Sequence, residues 1–139
     1  MTVDFNGRFG RKALRRLKKE LVIWLTSVDR DGQPQPRPVW FHWDGQDLLI
    51  LSQPRSGKLR QIAGQPRVAV HFSADEYGSD VVVLLGRARQ ADRPLPPARL
   101  KAYSRKYREA IADLEMTSES FLADYSVSIL VEPTALRGF

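Results

Sequence analysis

From Ser52 to Arg60 the chain reads Ser-Gln-Pro-Arg-Ser-Gly-Lys-Leu-Arg, three cations and two hydroxyls where an apolar run meets a helix start. A helix N-terminus presents unpaired amides and the positive end of the helix dipole, so this junction has the make-up of a phosphate cradle. It is not a nucleotide P-loop, because Ser52 stands where the first glycine belongs and Leu59 replaces the magnesium-binding Ser or Thr. A solvated loop with an ordinary N-cap at Ser56 is the alternative. Arg37 lies on a neighbouring hairpin strand and can point toward the same anion if the two strands pair. Pro38, Val39 and Trp40 follow it, joining a donor-poor backbone to a large flat surface suited to a ring with a phosphate tail. The competing assignment is an edge arginine beside a core tryptophan.

Other chemistries find little support. His42 and His71 lack the close spacing of a helical metal site, so no metal ligand is assigned. No nucleophile-elbow sequence or base-linked constellation marks a hydrolase, and no catalytic side chain is assigned. Basic residues crowd positions 8 to 19 and recur at Arg99, Lys101, Arg105, Lys106 and Arg108. No nucleic-acid motif accompanies them, and exposed helical charge runs are usually solvated faces, which argues against a nucleic-acid partner.

The elements that must position these residues are mostly strands. Residues 8 to 19 form a basic surface helix with Ala13, Leu14 and Leu17 on one side. Leu21 to Val28 is a strand closed by the turn Asp29-Arg30-Asp31-Gly32, and Gln35 to Trp43 returns as an irregular strand whose prolines suit an edge or an interruption. Leu48 to Ser52, Arg67 to Ser73, Val81 to Leu85 and Tyr125 to Val131 complete a set of six strands. Ser56 opens a short helix ended by Gly64 and Pro66. Pro94, Pro96 and Pro97 open a long one with Leu100, Tyr103, Tyr107, Ala110, Ile111 and Leu114 on one face. An antiparallel barrel with helices packed outside it is expected, a mainly β (α+β) architecture.

At 139 residues, 42% hydrophobic and 27% charged, the chain suits one globular domain spanning 1–139. The absence of cysteine excludes disulfides and thiolate metal clusters and favours a reducing, cytoplasmic setting. No membrane segment or leader is read, since only Leu21 to Leu25 follows the N-terminal basic residues as an apolar run. The net charge of +6 favours anionic partners without choosing among them.

The order of several motifs carries a resemblance. Thr26-Ser27-Val28 with Asp31-Gly32-Gln33-Pro34 comes first, then Arg37-Pro38-Val39-Trp40-Phe41, then Ser52 to Lys58. Gln65-Pro66-Arg67-Val68-Ala69-Val70 and Leu85-Gly86-Arg87-Ala88 follow. Together they resemble the pyridoxamine 5'-phosphate oxidase-like superfamily of flavin- and deazaflavin-binding proteins, and most closely its small branch of deazaflavin-dependent oxidoreductases. The resemblance implies a six-stranded split β-barrel of the FMN-binding type and a homodimer with cofactor sites at the subunit interface. It implies a hydride-transferring oxidoreductase that uses coenzyme F420 or FMN on a small-molecule substrate. It makes Arg37 and Lys58 phosphate-binding residues, Ser52, Gln53 and Ser56 hydrogen-bonding partners of the cofactor tail, and Val39 with Trp40 part of the ring platform, with Pro38 beside them as a further cofactor-binding residue. The vitamin-forming oxidases have consecutive basic residues where this chain has Gly57-Lys58, which argues against pyridoxamine phosphate oxidation. A non-catalytic flavin or haem carrier on the same scaffold is the alternative.

Overall fold

Twelve regular elements are seen in the computed structural model, which describes residues 3–139. The basic stretch folds as α1, Arg8–Lys19, and buries Gly10, Ala13 and Leu17. β1 (Ile23–Val28) and β2 (Pro34–Val39) form the first hairpin, β3 (His42–Trp43) and β4 (Leu48–Ser52) the second. α2 (Gly57–Gly64) leads to β5 (Arg67–His71) and β6 (Val82–Gln90). α3 (Pro97–Lys106), α4 (Arg108–Asp113) and α5 (Ser118–Asp124) precede the final strand β7, Val127–Gly138. All pairings are antiparallel in the order β2-β1-β5-β6-β7-β4-β3, a curled half-barrel with flanking helices.

The expected strand from Gln35 to Trp43 is thus two strands, which raises the count from six to seven. Its halves, β2 and β3, lie at opposite ends of the sheet order, joined only through Trp40 and Phe41. We call this junction the seam. The prolines explain the first half: Pro34, Pro36 and Pro38 alternate with Gln35, Arg37 and Val39, so their missing amides fall on the free edge and the ladder to β1 survives.

Two cores follow from the alternation of side chains. Inside the curl, Ile23, Leu25, Leu48, Ile50, Val70, Leu84 and Ile129 pack with Phe41, Phe72 and the buried side of α1. Outside it, Leu49, Leu51 and Leu130 pack against Tyr103, Tyr107, Ile111 and Phe121 of the helices. β4 is therefore buried on both faces.

The long helix expected after Pro97 is broken at Tyr107, and α5 lies outside every helix read from the sequence. Leu114, expected on the buried face, is 53% exposed. β6 and β7 outrun their expected ends because they pair along their lengths, with an irregularity at Leu85/Gly86 opposite Pro133. There, a Cβ on Gly86 would meet the Glu132 carbonyl oxygen at 2.7 Å.

Candidate functional site

A cleft of about 390 Å³ opens between the seam and the helices. β2 and the seam contribute Pro38, Val39 and Trp40, β4 contributes Leu51, and α2 contributes Lys58. Tyr103, Leu114, Phe121 and Tyr125 complete the wall from the helical side, with Val22 just before β1. The aromatic rings form one connected stack. Trp40 lies parallel to Tyr107 at 4.5 Å and 4° and close to Phe121 at 5.5 Å, and Phe121 stacks on Tyr125 at 4.4 Å. No carboxylate or histidine lines this cleft.

The cations gather at one end. Arg37 is on β2, opposite Leu25 of β1, and its side chain turns toward the end of the curl covered by α2. One guanidinium nitrogen donates to the Ser27 hydroxyl at 2.9 Å and another to Gln61 Oε1 at 2.8 Å. Ser27 in turn donates to the same Gln61 oxygen at 2.5 Å. These partners fix the guanidinium without neutralising it, and its further N–H donors stay free for a ligand. Lys58, in the first turn of α2, donates to the Ser56 hydroxyl at 2.8 Å. Neither cation has a carboxylate within ion-pair distance among the described residues. Burial holds both below their ordinary pKa values, and the neighbouring charge of Arg37 lowers Lys58 further. Two half-buried like charges beside a helix N-terminus form a place for an anion.

The residues singled out from the sequence divide by location. Pro38, Val39, Trp40 and Lys58 line the cleft together; Arg37 is not among its lining, since it stands opposite Leu25 and bonds Ser27 and Gln61, but its charge reaches Lys58. Ser56 occupies the N-cap position but makes no side-chain capping bond; its hydroxyl accepts from Lys58. Ser52 is fully buried and donates to the Gln53 carbonyl at 2.9 Å. Its parity in β4 matches Leu48 and Ile50, which face the inner core, whereas Leu51 faces the cleft. Gln53 is exposed, its amide 3.3 Å from Asp124.

Sequence reasoning missed the residues that hold the predicted ones. Gln61 carries no motif, and Ser27 stands in a motif of the resemblance that assigns it no role; both hold Arg37. Tyr103 and Tyr107 were legible as one helical face, but nothing in that pattern tells a core lining from a cleft wall. Lys106, the last residue of α3, donates to the Phe41 carbonyl at 2.8 Å and lies 3.7 Å from the Phe41 ring centroid. Burial lowers its pKa to about 8.

Comparison with known proteins agrees with this arrangement. Over 72 residues the chain is 32% identical to the pyridoxine/pyridoxamine 5'-phosphate oxidase of Edwardsiella ictaluri, a match covering 50% of this chain and 33% of that enzyme. The chain thus spans about a third of the length of that curated relative. A solved structure named F420 reductase superposes with a TM-score of 0.66 at 26% identity, covering 88% of this chain and 94% of the other. The haem storage protein HutZ from Vibrio cholerae superposes with a TM-score of 0.70 and 95% coverage of each chain, but at 16% identity it shows the fold alone. The sequence profile of the pyridoxamine 5'-phosphate oxidase family matches residues 9–137, and together with the half-barrel and its cleft this shows that the chain belongs to that family.

Proposed function

We propose that this protein is an oxidoreductase that holds FMN or the deazaflavin F420 in the cleft beside the seam and passes hydride to or from a small organic substrate. The observation that carries this reading is a half-buried Lys58 sharing one cleft with an aromatic wall, with the charge of Arg37 close enough to act on it and neither cation paired with a carboxylate among the described residues. A phosphate satisfies the first feature and a flat ring the second. When bound, the ring supplies the hydride chemistry. The chain's own residues then bind and orient. Lys58 and Arg37 take the phosphate, Gln61 and Ser27 hold the Arg37 fork in place, and Trp40 with its aromatic neighbours flanks the ring and excludes water. A cleft lined by neither histidine nor carboxylate is suited to this division of labour. The likeness to an F420 reductase at 26% identity supports the deazaflavin over FMN.

The cleft is open at its mouth, where Val22 is 44% and Leu114 53% exposed, and we assign its closure to a second copy of the chain. The outward face of the sheet supports such a homodimer. Trp24, His71 and Val83 line up across β1, β5 and β6, with Thr26, Ala69 and Leu85 in the next row, all half-buried at most. Trp24 and His71 stack there at 6.3 Å and 4°. Such an apolar sheet face is characteristic of an interface. No helix of the described residues is long and apolar enough to cross a membrane. A chain without cysteine suits a reducing, cytoplasmic setting.

A haem carrier is the second reading. A cleft without histidine disfavours axial ligation by this chain's own imidazoles, since His71 stacks on Trp24 of the outer face and His42 pairs with Leu49 on β3. Mass spectrometry of the small molecule co-purifying with the protein, followed by fluorescence titration with FMN and F420, tests the proposal. Saturable micromolar binding of either is expected, and binding of neither refutes it.

A further inference from the structure

The seam presents a hydrogen-bonding problem. Trp40 and Phe41 belong to neither β2 nor β3, so the Phe41 peptide has no strand to bond, although its side chain is fully buried. Two consecutive side chains at the α3–α4 joint solve it. The Tyr107 hydroxyl accepts from the Phe41 amide at 2.8 Å, and the Leu21 and Phe41 carbonyl oxygens lie 2.7 and 2.8 Å from it. A tyrosine carries one hydroxyl proton and cannot serve both carbonyls. The Lys106 ammonium, 2.8 Å from the Phe41 carbonyl, takes that acceptor and releases the tyrosine proton to Leu21. The Tyr107 ring meanwhile lies parallel to Trp40 at 4.5 Å. Consecutive residues of an unbroken helix point about 100° apart. With the break after Lys106, both reach the backbone of one residue, Phe41.

We propose that Lys106 and Tyr107 are positioning residues of the cleft: they fix the Phe41 backbone at the seam and thereby set the angle of the Trp40 indole that lines the space in which a planar ring is held. The proposal rests on the reading of the cleft as a flavin-type site. It assigns the pair to the ring and not to the phosphate, which belongs to Arg37 and Lys58 at the other end. An apolar pair would fill the same volume without the cost of burying an ammonium that has no carboxylate. What the polar pair adds is a single orientation of the peptide and of the indole stacked next to it.

The experiment uses matched ligands with and without the phosphate tail: FMN and riboflavin, and the deazaflavin cofactor and its phosphate-free chromophore. In Tyr107→Phe, which keeps the stacked ring, both members of a pair are expected to lose about five- to tenfold in affinity, the scale of one hydrogen bond. Unchanged affinities in the folded variant, or a loss confined to the phosphorylated member, would overturn the assignment. A second readout needs no ligand. The near-ultraviolet dichroism contributed by Trp40, obtained by subtracting the Trp40→Phe spectrum, is expected to change when the same subtraction is made in the Tyr107→Phe background; an identical contribution overturns the proposal. If the parent binds none of the four ligands, the functional reading fails, while the dichroism still decides the positioning role. If Tyr107→Phe does not fold, Lys106→Met carries both measurements. A loss shared by both members of a pair, with an altered Trp40 signal, supports the proposal, and no change in either overturns it.

Discussion

Removing the Lys58 charge while keeping its stem separates binding from folding. Lys58→Met preserves the aliphatic reach along the cleft and deletes the ammonium that donates to Ser56 and faces Arg37. A hydrogen bond to a charged group contributes ~1.5–3 kcal/mol, so FMN affinity should fall about ten- to a hundredfold. Riboflavin, lacking the phosphate, should bind nearly as before. The apo protein should respond in the opposite direction. Burial and the Arg37 charge lower the folded-state pKa of Lys58, which means that its cation opposes folding at neutral pH. Because the group is only partly buried, the relief is limited to ~0.5 kcal/mol, the scale of a screened contact, or a Tm increase of about 1–2 °C. Parallel flavin titrations and calorimetry decide. Equal losses for FMN and riboflavin, or a Tm several degrees lower, would show that Lys58 supports the fold and not an anion.

Three further outcomes are expected. Lys106 titrates at about 8 in the folded chain against an ordinary value of 10.5, so the unfolded chain holds more protons between these pH values and stability rises across that window. Lys106→Met should abolish this rise, ~1 kcal/mol after discounting for partial exposure, as urea midpoints from pH 7.5 to 10.5 will show. Leu85→Arg on the outward sheet face should convert a dimer to a folded monomer in light scattering; an unchanged dimer would place the interface elsewhere. Gly86→Ala should destabilise by at least ~2 kcal/mol through its clash with the Glu132 carbonyl, read as a Tm lowered by several degrees.

Legibility in the sequence followed the range of the forces involved. The pairing of β1 with β2 and the start of α2 are local, set by the turn at Asp29 to Gly32 and by the Ser56-Gly57 step, so the strand that carries Arg37 and the helix turn that carries Lys58 could be read. The side that Ser52 faces could not be read, because the four apolar residues before it show no alternation and β4 is buried on both faces. The helix break at Tyr107 leaves no trace in the pattern either. Tyr103, Tyr107 and Ile111 keep a regular apolar spacing with no glycine or proline between them, and the contacts that accompany the break come from Phe41 and Leu21, far away in the chain. α5 did have a signal, the capping box between Thr117 and Ser120, but serine stands where glutamate or glutamine is usual.

The seam also governs when the barrel can close. Phe41 and Tyr107 are separated by 66 positions, and the loop between them must be ordered before their bonds can form. During synthesis the first hairpin leaves the ribosome long before the tyrosine that pins its far end, so the junction waits with its peptide unpaired until α3 docks. Contacts this distant in sequence place closure late on the folding path. In amide exchange, the Phe41 proton should be protected together with the helices and not with β1 and β2, its neighbours in sequence.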